Sequence, residues 1–258
     1  MSKFSKNYQK VTFVKHWTEN LFSFRITRPK SFKFRSGEFV MIGLLDNKDK
    51  PILRAYSICS PSWSEELEFY SIIVKDGPLT SKLKKIKIGD EIIMMPKSTG
   101  TLVLDAIKPG KRLFLLSSGT GFAPFAALIR EPETYERFDS IVVTHTCRMI
   151  TELSYSKSII QQCKNDELVK EFIGNKLLSY HSTTRDDYIF NGRITELILS
   201  NKLFKDLEIN SISSDDRFMF CGSMGLNNDL KKIMLKSNFN EGANNHPGEF
   251  VLEKAFVD

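Results

Sequence analysis

In the N-terminal part of the chain, apolar and β-branched residues recur in short runs. These are Val11–Val14, Phe22–Ile26, Phe39–Leu45, Ala55–Cys59, Leu67–Val74, Glu91–Met95 and Thr101–Leu104. Turn-forming segments separate them: Arg28-Pro29, Ser36-Gly37, Asp46-Asn47, Ser60-Pro61, Lys75-Asp76-Gly77-Pro78 and Gly89-Asp90. Short strands at this spacing predict an antiparallel β-barrel or sandwich. One helix is expected among them, capped by Thr80-Ser81, because Leu79, Leu83 and Ile86 fall at helical spacing.

After Pro109-Gly110 the pattern changes. Strand-like runs at Arg112–Ser117, Ile141–Thr146, Leu177–Ser182, Phe218–Cys221 and Phe250–Leu252 now alternate with helical stretches. The helices are marked by Glu152–Lys164, by Ile194, Leu197 and Ile198, and by Leu230, Ile233 and Met234. Such alternation predicts an α/β domain with a parallel, Rossmann-like sheet. The fold expected is therefore two-domain, an antiparallel β-barrel over residues 1–108 and a parallel-sheet α/β domain over 109–258. Two domains make a cleft, and clefts are where cofactors sit.

Composition narrows the chemistry. No apolar run reaches the roughly 20 residues that cross a bilayer, and Met1–Lys10 is polar with no apolar signal core, so a cytoplasmic protein without a membrane partner is expected. Cys59, Cys147, Cys163 and Cys221 are scattered, with no zinc or iron–sulfur spacing, so no metal is expected. One-electron chemistry would need an organic cofactor or a partner's metal. The formal net charge of +6 suits an acidic partner. No basic block with interleaved aromatics is present, so a nucleic-acid partner is not expected.

Five segments could carry chemistry. In Arg54-Ala55-Tyr56-Ser57, residues two apart share a strand face, so a guanidinium that can clamp a pyrophosphate lies beside a ring that can stack on a planar group. Lys75-Asp76-Gly77-Pro78-Leu79-Thr80-Ser81 turns the chain and opens a helix, a setting that suits phosphate. Ser117-Ser118-Gly119-Thr120-Gly121-Phe122-Ala123-Pro124 follows a strand and opens a helix, the context of a dinucleotide loop, with Pro124 in place of the third glycine. The second α/β strand ends in Arg148, where an NAD-specific fold carries an acidic residue, and Arg185 and Arg193 lie at or beyond the end of the next strand. Several arginines there favour NADP over NAD. Finally, Cys221-Gly222 ends a strand at the edge where ligands bind such sheets. Each segment alone also reads as ordinary structure: a solvated charge, a capped helix, a buried thiol.

Their order and spacing together resemble the ferredoxin–NADP reductase superfamily, in particular the bacterial ferredoxin/flavodoxin–NADP reductases. The resemblance spans nearly the whole chain and also takes in His145-Thr146-Cys147-Arg148, Thr183-Thr184-Arg185, Gly192-Arg193-Ile194 and Glu253-Lys254-Ala255-Phe256-Val257. It implies that the barrel binds FAD and the α/β domain NADP(H). Arg54, Thr80 and Ser81 would hold the FAD pyrophosphate, with Ala55, Ile73, Val74 and Leu79 in the same set. Tyr56 would stack on the isoalloxazine, Ser57 would lie near its N5, Ala255 would cover the other face and Phe256 would pack close by. Thr120 and Cys221 would line the nicotinamide pocket, with Ser57, Cys221, Ala255 and Phe256 the residues nearest the chemistry. Gly119, Gly121, Thr184 and Gly222 join Arg148, Arg185 and Arg193 in the NADP set. The chain ends at Asp258, so no longer tail is expected to reach the FAD adenine. The partner implied is a ferredoxin or flavodoxin, served by a monomer. Two alternatives are the reductase component of an oxygenase system and a non-enzymatic flavin redox sensor.

Overall fold

The computed structural model describes residues 7–254. Six strands form one antiparallel sheet: β1 (Tyr8–His16), β2 (Leu21–Thr27), β3 (Phe39–Leu45), β4 (Pro51–Ser57), β5 (Glu66–Ile72) and β6 (Glu91–Thr99). Their order is β4-β3-β6-β1-β2-β5. The sheet curls around a core that includes Phe22, Phe24, Val40, Ile42, Phe69, Leu83 and Ile92. No ladder closes the barrel. Its two edges meet instead through the Cys59 N–H donating to the Glu68 carbonyl at 2.8 Å, and through Tyr56 and Ser71, whose hydroxyls lie 3.1 Å apart. The four-residue helix α1 (Thr80–Leu83) follows β5 and seats Leu79 and Leu83 in the barrel core.

The run Thr101–Leu104, expected as a seventh strand, is not one. It leads into a 3-10 turn, Leu104–Ala106, and Leu102, Val103 and Leu104 are buried in the core of the second module. Three consecutive apolar residues satisfy a buried connection as well as a strand.

The second sheet is parallel: β7 (Arg112–Ser118), β8 (Ser140–Cys147), β9 (Leu177–Thr183), β10 (Asp216–Gly222) and β11 (Phe250–Lys254), in the order β11-β10-β7-β8-β9. Both faces are covered, so β7 is buried on alternate sides. Leu113 and Leu115 pack under α2 (Ala123–Leu128), α3 (Pro132–Arg137), α4 (Ser154–Asn165) and α5 (Lys170–Ile173). Phe114 and Leu116 pack under α6 (Ile194–Leu199), α7 (Lys202–Asp206) and α8 (Met224–Lys236). The strand order reverses between β7 and β10, and a crevice opens there beyond the carboxyl ends of the strands.

The two modules share buried contacts. Leu21, Cys59 and Tyr70 of the barrel belong to the same core as α2 and α4. Arg130, almost wholly buried, donates to the Cys59 carbonyl at 2.5 Å, and the Tyr155 hydroxyl donates to Glu68 at 3.2 Å. Among the described residues, no helix is long and apolar enough to cross a membrane.

Candidate active site between the two modules

A cavity of about 780 Å³ lies between the barrel and the carboxyl edge of the parallel sheet. The barrel wall comes from β4. Antiparallel pairing sets Arg54 opposite Ile42 and Tyr56 opposite Val40 on β3, so both side chains share a face of the strand. Arg54 is exposed; its guanidinium donates to the Leu53 carbonyl at 2.8 Å and pairs with no carboxylate among the described residues. The Tyr56 ring meets Phe69 edge-on at 6.3 Å, and burial raises its phenol above the usual range. Because β4 is the edge strand, the cavity also borders Ala55 and Ser57.

The turn before α1 forms a second wall with Val74, Gly77, Pro78, Leu79 and Thr80. Its hydroxyls are engaged within the turn. Thr80 Oγ1 accepts the Val74 N–H at 3.1 Å, and Ser81 donates to the Gly77 carbonyl at 2.7 Å. Ile73 and Ser81 therefore brace this wall from outside the cavity lining.

From the α/β module, Thr120 and Ala123 complete the cleft. Gly119–Phe122 forms a 3-10 turn and α2 continues from it, with Pro124 in its first turn as the Gly-Thr-Gly-Phe-Ala-Pro pattern predicts. Gly121 presses on β10: a Cβ there would lie 2.1 Å from the Cys221 carbonyl oxygen. Cys221 is fully buried beneath this contact, outside the cavity lining, and burial together with Glu253 pushes its thiol far above the ordinary value. Gly222 follows it at the strand end, also buried.

Arg148, Thr184, Arg185 and Arg193 stand apart from the cavity. All four are exposed: Arg148 follows β8, Thr184 and Arg185 follow β9, and Arg193 precedes α6. The backbone brings the first three together: the Thr184 N–H donates to the Cys147 carbonyl at 3.0 Å and the Arg185 N–H to the Arg148 carbonyl at 3.1 Å. None of the three guanidiniums is paired with a carboxylate among the described residues. Ala255 and Phe256 lie outside the described residues.

Several lining residues carry no motif in the sequence. Tyr70 stacks on Tyr155 at 4.1 Å, and its buried hydroxyl has no hydrogen-bond partner among the described residues. Glu253, in register with Cys221 across β10 and β11, accepts from the Thr101 N–H and from the Thr101 hydroxyl. Burial raises its carboxyl above the ordinary value despite those bonds. Asn244 donates to the Gly100 carbonyl at 2.9 Å and closes one end of the cleft. These residues come from distant parts of the chain, so only the fold gathers them.

The chain is 55% identical over 250 residues to the flavodoxin/ferredoxin–NADP reductase of Rhodobacter capsulatus, a match covering 96% of this chain and 93% of the relative. The chain belongs to the ferredoxin–NADP reductase family. The Azotobacter vinelandii ferredoxin–NADP reductase is 43% identical over 257 residues, 98% of either chain. Residues 9–102 match the oxidoreductase FAD-binding domain, which covers the antiparallel sheet. A crystal structure of the ferredoxin NADP+ reductase from Neisseria gonorrhoeae, with bound FAD and NADP, superposes with a TM-score of 0.88 at 28% identity, covering 99% of this chain and 100% of that one. Both modules and their arrangement are thus those of this reductase family.

Proposed function

We propose that the cleft binds FAD against β4 and NADP(H) at the carboxyl edge of the parallel sheet, and that the enzyme moves electrons between NADP(H) and a ferredoxin or flavodoxin. The observation that carries this reading is the cavity. It joins an aromatic wall, an arginine without a carboxylate partner among the described residues and a dinucleotide-type loop in one space of about 780 Å³. The buried Tyr70 hydroxyl, without a partner among the described residues, also fits a cleft completed by a bound group. When bound, the flavin supplies the exchange between a two-electron hydride and single electrons.

The chain's residues bind and orient. Tyr56 offers a ring held in place by Phe69 and Ser71, and Ser57 lies beside it. Arg54 is placed to meet a pyrophosphate with two parallel N–H bonds. Val74 and Leu79 supply apolar contact there, while Thr80, Ser81 and Ile73 hold the turn in shape. Thr120 and the glycines beside it receive the nicotinamide half of NADP(H), and buried Cys221 shapes the floor beneath them. Arg148, Arg185 and Arg193, with Thr184, take the 2′-phosphate end. The functional division falls near Lys108, between the last antiparallel strand and the first parallel one.

The carrier is a small acidic protein, matched to the net charge of +6. The reading assigns this work to a monomer. Four buried free thiols suit the reducing cytoplasm. NADPH-driven reduction of a ferredoxin and of a flavodoxin, measured across ionic strength, tests the partner. The rate should fall as salt screens the attraction; a rate indifferent to salt would count against an acidic carrier.

A further inference from the structure

The reaction above leaves two imidazoles unused, His145 buried and His181 half-buried. His145 on β8 and His181 on β9 are neighbours in register, and α4 lies across them. His145 Nε2 lies 2.8 Å from the Gly119 carbonyl oxygen, and its Nδ1 lies 2.7 Å from Ser156 Oγ. His181 Nε2 reaches the same Ser156 Oγ at 3.1 Å. Cys147 Sγ, 3.2 Å from His145 Nε2, is a further weak acceptor.

These contacts fix a direction. A carbonyl oxygen only accepts, so Nε2 of His145 carries the hydrogen. Its Nδ1 is then a lone pair, and the Ser156 hydroxyl donates to it. The alternative acceptor for that hydroxyl, the Leu153 carbonyl, is farther away at 3.0 Å. Ser156 Oγ in turn accepts the N–H of His181. Both rings are neutral at ordinary pH. Burial, then His181, pushes His145 down to about 3; burial, then Lys157, pushes His181 down to about 4.

The recipient of this chain of bonds is the loop. Gly119 is held at φ +54°, and a Cβ there would meet nothing within 4 Å, so its conformation, not crowding, calls for glycine. Its peptide bond is trans, and a peptide unit is planar. Holding the Gly119 carbonyl toward β8 therefore turns the Thr120 N–H the opposite way. His145 also packs its ring on Phe122 at 5.1 Å, so it touches both ends of the 3-10 turn. Apolar residues would fill this space without the desolvation cost of two imidazoles and a hydroxyl.

We infer that His145, oriented by Ser156 and His181, is a positioning residue that sets the Gly119-Thr120-Gly121 loop for NADP(H). The inference rests on reading that loop as part of the dinucleotide site. The test is NADP+ binding to the FAD-loaded protein by difference spectroscopy, for His145→Leu, His145→Gln, Ser156→Ala and Arg148→Ala. Losing the bond to the loop should weaken NADP+ about five- to tenfold in His145→Leu. His145→Gln, whose amide can donate from a similar reach, should restore most of that affinity. FAD content should stay at the wild-type level in each variant, since the barrel holds that group. Unchanged NADP+ affinity in His145→Leu, or a Gln variant as weak as Leu, overturns the inference. If His145→Leu fails to fold, Ser156→Ala decides: weaker NADP+ binding supports the relay and wild-type binding overturns it. Wild-type affinity in Arg148→Ala would instead overturn the dinucleotide site itself.

Discussion

In the proposed function, Arg54 and Arg148 are one residue type given two tasks by position. Arg54 is tethered by a bond to its neighbour's carbonyl and borders the cleft, the position that the proposed function assigns to a pyrophosphate. Arg148 sits past the end of β8, beside Arg185 through a backbone bond, with no carboxylate among the described residues to satisfy either guanidinium. A charge-assisted bond to a 2′-phosphate is worth about 1.5–3 kcal/mol. Arg148→Ala and Arg185→Ala should therefore each raise the KM for NADPH by about ten- to a hundredfold, with the KM for NADH little changed. Steady-state kinetics with both nucleotides checks this; equal losses would contradict it. Tyr56 divides its role between ring and hydroxyl. Tyr56→Phe should keep FAD and cost about 1 kcal/mol of stability through the lost Ser71 bond. Tyr56→Ser should lower the FAD-to-protein ratio of the purified protein, read from its absorption spectrum.

Among the elements, those whose pattern is dictated by burial were legible in the sequence. Six of the antiparallel runs and all five parallel strands lie where apolar periodicity places them, because each strand must hide one or both faces. The failure at Thr101–Leu104 has the same root: Leu102 and Val103 are hidden too, but around a connection rather than in a ladder. Helices α3, α5 and α7 span only four to six residues, too few to show a period. The site divides along the same line. Arg54-Ala55-Tyr56-Ser57 and the Gly119 loop are local motifs and could be read directly. Tyr70, Thr101, Asn244 and Glu253 acquire a role only when the fold brings them to one cleft. Cys221 was read at the correct strand end, yet it lies under the loop, because Gly121 packs directly on its carbonyl. That packing makes a sharp prediction. Gly121→Ala forces a carbon to 2.1 Å from an oxygen, so the loop must shift. A loss of about 1–3 kcal/mol is expected, together with weaker NADP+ binding, measured by thermal unfolding and titration.

For the whole molecule, His145 and His181 contribute to the loss of stability in acid. A group whose folded pKa lies below its unfolded value stays neutral in the fold while the unfolded chain takes up protons. His145 at about 3 and His181 at about 4, against an ordinary 6.5, therefore leave stability complete above about pH 6.5. Stability falls as pH drops from there toward 3. Melting temperature against pH should show that decline, and His145→Gln should flatten part of it; an equally steep curve in the variant would contradict the assignment. The two modules share a buried core across Tyr70, Cys59 and α4, so the cleft is part of the folded unit. Its most direct test is to load the purified protein with FAD, exclude oxygen, and follow the visible flavin absorption on adding NADPH or NADH. The account predicts a yellow protein with bound FAD that NADPH bleaches at far lower concentration than NADH. A colourless protein that takes up no FAD, or a yellow one that NADPH leaves oxidised, would contradict it.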